Sequence, residues 1–226
     1  MQTLLQQNLQ KVLQTIVKAS ETTNKQVTLV AVSKTKPVEL IKEAYEGGQK
    51  HFGENYVNEL IEKAPLLPND ISWHFIGHLQ TNKVSTIMKI QNLEFIQSVD
   101  SLKLAQKIEK HCEKLGRNIN IFVQIKLSEE ESKTGAEIDE AKLIIQEIIT
   151  KFKFIKLIGL MTIGPIGNKE IFQQLVDLAK KFENEFNLQP LNLSMGMSGD
   201  YLDAIKYGAD YVRVGSAIFG ERNVKQ

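Results

Sequence analysis

One cysteine, one tryptophan and five prolines in 226 residues leave several classes of protein with little support. A lone cysteine, Cys112, cannot close an internal disulfide, so nothing points to an oxidising compartment. No apolar run approaches the roughly 18 residues that span a bilayer. The N-terminal stretch MQTLLQQNLQKVL is amphipathic and lacks the continuous apolar centre of a signal peptide. The resulting expectation is a cytoplasmic protein without a membrane partner. Charge of one sign is also missing: 28 Lys and Arg face 27 Asp and Glu, a net charge of +1. A nucleic-acid binder normally shows a basic face, so none is expected, although a small local anion site remains open. His51 and His111 lack ligand spacing, and no metal site is read. With 42% hydrophobic residues the chain can bury a sizeable core, and no linker or composition shift divides it. A single domain over residues 1–226 is expected.

What is present is alternation. An apolar, β-branched run at 27–33 reads as a buried strand, and shorter stretches at 50–53, 72–76, 94–98, 119–125, 155–161, 191–194 and 210–214 read as strands too. Helical periodicity fills the intervals at 37–47, 55–64, 81–90, 101–115, 137–150, 169–186 and 200–207, and a final helical turn follows Gly215-Ser216. Asp100 is expected as the N-cap of the 101–115 helix. A further amphipathic helix over 3–19, within residues 1–24, precedes the first strand. Eight strand-then-helix units imply an α/β protein with a parallel sheet, closing into a (β/α)8 TIM barrel over 27–222. A doubly wound open sheet is the alternative, but it rarely runs to eight consecutive parallel strands.

A barrel of this kind places its chemistry at the carboxyl ends of the strands. The first strand ends in Ser33-Lys34-Thr35-Lys36-Pro37. An amine held there beside apolar walls loses its proton more readily than a surface lysine and becomes a nucleophile; the plain alternative is that Lys34 and Lys36 are solvated loop residues. Other polar groups at strand ends are Glu54-Asn55, His78 with Gln80-Thr81-Asn82-Lys83, Ser98-Asp100, Lys126 with Ser132-Lys133-Thr134, and Thr162. Met195-Gly-Met-Ser-Gly-Asp200 and Val214-Gly-Ser216 follow the seventh and eighth strands, where barrels commonly hold phosphate. Glycines admit an anion close to the backbone, and N–H groups and serine hydroxyls bind it. Glycines that merely form tight turns would leave the same pattern. A nucleophilic lysine facing a phosphate cup suits pyridoxal phosphate, with its aldehyde and its phosphate arm.

The motifs VAVSKTKP, HFGENYVNE, WHFIGHLQTNK, SEEESKTG, GLMTIGP, LSMGMSGD and VRVGSAIFGER, in this order from about 27 to 222, resemble the pyridoxal-phosphate homeostasis proteins. The resemblance implies a barrel like the N-terminal domain of alanine racemase, that of the fold type III pyridoxal-phosphate proteins, carrying pyridoxal 5′-phosphate. It implies Lys34 as the Schiff-base lysine, with Lys36 a neighbour that acts electrostatically. Ser198, the Gly199 backbone, Gly215 and Ser216 correspond to phosphate contacts. Arg213 corresponds to an arginine facing the pyridine nitrogen, and Asn55 to a residue near the cofactor. A guanidinium stays cationic and donates to an unprotonated nitrogen, so the pyridinium form is disfavoured and carbanion chemistry is muted.

Family membership also implies a role in cofactor supply without an established reaction. The expectation is a carrier or buffer serving apo forms of pyridoxal-phosphate enzymes. The chain ends about ten residues after Ser216, too soon for the second, tyrosine-bearing domain of the racemases, and this favours a monomer. The alternative is a weak amino-acid racemase using Tyr56, His78 or a lysine as base. His74 reads as a core or supporting histidine. Lys83 and Asn82 read either as lining the mouth or binding a second anion, or as a helix start. Glu129-Glu130-Glu131 reads as a solvated loop, and Cys112 as helix packing.

Overall fold

A computed structural model of the chain describes residues 2–127, 134–165 and 167–221. The expectations for Glu129–Glu131, Ser132, Lys133 and the barrel's end at residue 222 lie outside them, as does Ile166 of the loop after the sixth strand.

Helix α1 (Leu4–Ser20) opens with a capping box on Thr3, whose side chain accepts the Gln6 N–H, and lays Leu5, Leu9, Val12 and Ile16 on the barrel. Then come β1 (Thr28–Val32), α2 (Val38–Glu46), β2 (His51–Glu54), α3 (Val57–Lys63), β3 (Ser72–Phe75) and α4 (Val84–Ile87). β4 (Leu93–Val99), α5 (Leu102–Leu115), β5 (Ile119–Gln124), α6 (Ile138–Lys151) and β6 (Ile155–Met161) follow. The chain finishes with α7 (Glu170–Phe186), β7 (Asn192–Met197), α8 (Tyr201–Lys206), β8 (Tyr211–Val214) and α9 (Ser216–Phe219). All neighbouring strands pair in parallel, and β8 returns to β1, closing the barrel in chain order. Among the described residues no helix is long and apolar enough to cross a membrane.

Three expectations are corrected. The 81–90 helix is a 3-10 turn (Thr81–Lys83) followed by one turn of α4. Ser101, not Asp100, caps α5, with its Oγ accepting the Leu104 N–H at 3.4 Å; Asp100 is engaged elsewhere. β7 runs on through Met195, Gly196 and Met197, because a register shift between Ser194 and Met197, with Gly196 at φ +87°, keeps the strand paired past the glycine.

The layers follow from strand geometry. Phe122 on β5 and Tyr211 on β8 have ring centroids 5.2 Å apart, although their strands lie far apart around the closed sheet. Their side chains can meet only inside the barrel, together with Phe95 and His74. Side chains alternate along a strand, so Arg213, two beyond Tyr211, also points inward. Val30 is in register with Arg213, which puts Val30 and Val32 inside and continues to Lys34 at the rim. Val32 pairs with Gly53 and Gly53 with His74, so His51 and Gly53 share that inner face. Leu29, Ala31, Phe52, Trp73 and Ile121 face outward and fill the main core between barrel and helices. Cys112 is wholly buried on α5, and burial pushes its thiol up to about 11, in keeping with a packing role.

Candidate functional site

Lys34 is half-buried and sits in a turn two residues past the end of β1. The next residue, Thr35, adopts φ +61°, a left-handed conformation that costs a β-branched residue about 1–3 kcal/mol. A polar assembly beneath the turn holds it. Glu59 Oε2 accepts the Thr35 N–H at 2.8 Å, and Lys63 Nζ donates to Glu59 Oε2 (2.6 Å), Glu54 Oε1 (2.9 Å) and the Ser33 carbonyl (3.0 Å). Ser33 Oγ adds a bond to Glu54 Oε1 at 2.7 Å. Glu54 and Lys63 are both buried; burial raises the Glu54 carboxyl above its ordinary value against the opposing pull of Lys63.

Lys36 is committed elsewhere. Its Nζ donates to the carbonyls of Phe219, Gly220 and Glu221 at 3.0–3.1 Å, closing the C-terminal end of α9. A cation at a helix C-terminus meets the negative end of the peptide dipoles. Lys36 therefore braces the short helix that Ser216 opens.

The two glycine–serine loops are tied together. Ser198 Oγ accepts the Gly215 N–H at 3.0 Å, which leaves the Ser198 proton to donate outward. Asp200 Oδ1 accepts the Met197 N–H at 2.6 Å and tightens the first loop. Gly199 and Ser216 are exposed, and Ser198 and Gly215 half-exposed. A Cβ on Gly215 would come 3.2 Å from the Val32 carbonyl oxygen, so this loop lies directly against the strand that presents Lys34.

Below the mouth lies Arg213, 3% exposed. Its Nη1 donates to Ser194 Oγ at 2.7 Å and its Nη2 to the Thr162 carbonyl at 2.8 Å. Burial lowers the guanidinium to about 10, with Asp200 opposing, so it is cationic at neutral pH. The hydrogen bonds continue inward: Ser194 Oγ to Gln97 Oε1 (2.6 Å), Gln97 Nε2 to His74 Nδ1 (2.8 Å), and His74 Nε2 to His51 Nδ1 (3.0 Å). A polar file thus crosses the barrel interior from Arg213 to the N-terminal end of β2. Gln97 carries no motif signal beyond its position within a predicted strand, and Ser194 lies in the LSMGMSGD motif without any sign there of an inward partner. Among the described residues no group of three His, Cys, Asp or Glu could hold a metal ion.

Asn55 directly follows β2, the strand paired with the β1 that leads to Lys34, and its Oδ1 is buried without a partner among the described residues. The loop after β3 crosses close by, since a Cβ on Gly77 would lie 2.0 Å from the Asn55 carbonyl oxygen. Only glycine permits that approach. Asn55 also borders a cavity of about 250 Å³ lined by Tyr56, Asn58, His78, Gln80 and Lys83. His78 Nδ1 meets Asp100 Oδ2 at 3.1 Å. The rim therefore joins an amine, an orphaned acceptor, hydroxyl and N–H donors on two linked loops, and a buried cation. These groups fit a cofactor bearing an aldehyde, a phosphate and a ring nitrogen.

These features define a barrel whose polar groups gather at one mouth, and the alanine racemase N-terminal domain family matches residues 6–223. A pyridoxal phosphate homeostasis protein of Schizosaccharomyces pombe is 46% identical over 202 residues, covering 87% of this chain and 84% of that protein. The human protein of the same name is 43% identical over 214 residues, covering 88% of this chain and 78% of that protein. The structure of PipY from Synechococcus elongatus PCC7942 with PLP bound superposes with a TM-score of 0.79 at 35% identity, covering 86% of this chain and 92% of that one. The chain belongs to the pyridoxal phosphate homeostasis protein family.

Proposed function

We propose that this protein holds pyridoxal 5′-phosphate at the barrel mouth as a reversible Schiff base on Lys34. In this reading it takes part in intracellular cofactor homeostasis as a carrier or buffer, without catalytic turnover. It acts as a single barrel domain and a cytoplasmic monomer, exchanging cofactor with apo forms of pyridoxal-phosphate enzymes. When bound, the cofactor supplies an aldehyde for amine condensation and a ring that draws electrons once its nitrogen is protonated.

The observation that carries the reading is the adjacency of Lys34 to the Gly215–Ser216 loop, through the packing of Gly215 on Val32. The reactive amine and the anion donors then stand one strand apart. Ser198, Gly199, Gly215 and Ser216 would hold the phosphate, and Asn55 would donate to or accept from the cofactor beside Lys34. Arg213, cationic and fixed by Ser194 and Thr162, offers a ring nitrogen a donor and no acceptor. That arrangement supports holding over electron withdrawal.

The test follows the absorbance of the lysine-linked cofactor and the mass fixed by borohydride, together with cofactor transfer to an apo-enzyme. Lys34→Ala is expected to lose both band and fixed mass; an unchanged spectrum would sink the assignment. The placement of His78 on Asp100, in one cavity with Asn55 and Tyr56, favours a second reading, a weak amino-acid racemase. Turnover of single-enantiomer amino acids that vanishes in both Lys34→Ala and His78→Gln would promote it.

A further inference from the structure

The cavity between the loops after β2 and β3 has, apart from Asn55, a lining the cofactor reading does not use. Asn55, Tyr56, Asn58, His78, Gln80 and Lys83 line it, and Lys34, Ser198, Arg213 and Ser216 do not. Among the described residues no carboxylate lines the wall. Asp100, the nearby acid, is taken up by Nδ1 of His78 at 3.1 Å, which leaves Nε2 as the ring's remaining functional atom. Among the described residues the side chains of Tyr56, Asn58, Gln80 and Lys83 make no hydrogen bond or ion pair. Lys83 is half-buried all the same, although this chain pairs lysines freely with acids elsewhere, as in Lys25–Asp210 and Lys142–Glu185.

An ammonium, an amide on each loop, a phenol and an oriented imidazole converging on about 250 Å³ suit a small anion. The volume admits a carboxylate on a short carbon skeleton and falls below the roughly 300–1,000 Å³ of sites for larger ligands. Gly77 brings the two loops together at Asn55, which follows β2, the neighbour of the strand that leads to Lys34. A ligand whose carboxylate rests on Lys83 would thus extend toward the rim where Lys34 stands.

We propose that this cavity is a carboxylate subsite for small amino acids or 2-oxo acids, with Lys83 as its cationic anchor and Asn58, Gln80 and His78 as polar partners. The carboxylate site stands on the cavity alone, whereas its use in presenting an amino acid to the Lys34 site rests on the cofactor reading above.

The experiment titrates cofactor-free and cofactor-loaded protein with acetate, pyruvate, L-alanine and ethylamine, following the His78 ring resonances by NMR and the cofactor absorbance in parallel. The three carboxylates are expected to shift His78 and ethylamine not to. Lys83→Ala, with Lys83→Met as a second variant of similar reach, should weaken carboxylate binding about tenfold or more. Lys83→Arg should restore most of it, with the cofactor band unchanged throughout. Equal binding of ethylamine, no His78 shift with any carboxylate, or full affinity in the Lys83 variants would overturn the subsite. Lys83-dependent acetate binding in a protein that takes up no cofactor would keep the subsite and remove the cofactor reading. A normal cofactor band without carboxylate binding would do the reverse.

Discussion

Nε2 of Gln97 donates to Nδ1 of His74 across 2.8 Å, with both side chains fully buried. An amide nitrogen can only donate, so His74 must accept at Nδ1 and carry its proton on Nε2, toward Nδ1 of His51. The file from Arg213 through Ser194 and Gln97 to the histidines therefore runs in one direction, with Arg213 as its fixed donor end. Gln97→Ala strands the Ser194 hydroxyl and His74 Nδ1 without partners in the barrel interior. The expected cost is about 2–4 kcal/mol in urea unfolding. Nitrogen-15 spectra of the variant should also lose the single Nε2–H tautomer of His74. Wild-type stability with an unchanged tautomer would contradict the directed file.

Acid should weaken the fold through the same histidines. Burial, and then the neighbouring His51, holds His74 well below the ordinary histidine value of 6.5; burial also lowers His51, with Glu94 opposing. Below pH 6.5 the unfolded chain takes up protons that the folded chain refuses. The stability these groups contribute is complete above 6.5 and is lost as pH falls toward the lowered folded values. The slope is up to about 1.4 kcal/mol per pH unit for each histidine. Glu54, raised by burial, acts in the opposite sense from its ordinary 4.5 upward. Urea midpoints at pH 7.5 and 5.5 should therefore fall more steeply for the wild type than for His74→Asn, which leaves Glu54 in place. Parallel pH profiles would remove His74 as the cause.

Lys63 lies under the Lys34 turn with three oxygen partners and 8% exposure. Lys63→Met leaves the buried Glu54 carboxylate without its cation and is expected to cost about 3–5 kcal/mol. Adding Glu54→Gln removes the stranded charge and should recover most of that loss. Thermal unfolding of the two single variants and the double variant measures the coupling. Additive effects would mean that the ion pair contributes no more than its parts.

The two lysines of the SKTKP motif should separate cleanly. Lys34→Ala is expected to abolish the borohydride-fixed cofactor mass. Lys36→Ala should keep that mass, yet bind cofactor about tenfold more weakly, because three carbonyls at the end of α9 lose their donor and the Ser216 turn loosens. Equilibrium dialysis with mass spectrometry distinguishes these outcomes. Loss of the fixed mass in Lys36→Ala would exchange the roles of the two lysines.

Local spacing alone determined the eight alternating strand and helix units. Short strand-like runs between helical stretches appear in the structure as eight parallel strands closed in chain order. The same spacing set Lys34 at a strand end and Arg213 within a strand, because chain position and side-chain alternation are properties of a few consecutive residues. Tertiary structure decided the partners. Lys36 finds its carbonyls on α9, Asp100 turns from capping α5 to holding His78, and Lys63 serves three oxygens under a turn drawn from β1. Ser194 meets Gln97 across 97 residues of sequence. Alternation places each of those two side chains on an inner face, but only closure of the barrel brings the inner faces of β4, β7 and β8 together, and that closure sums the packing of the whole chain.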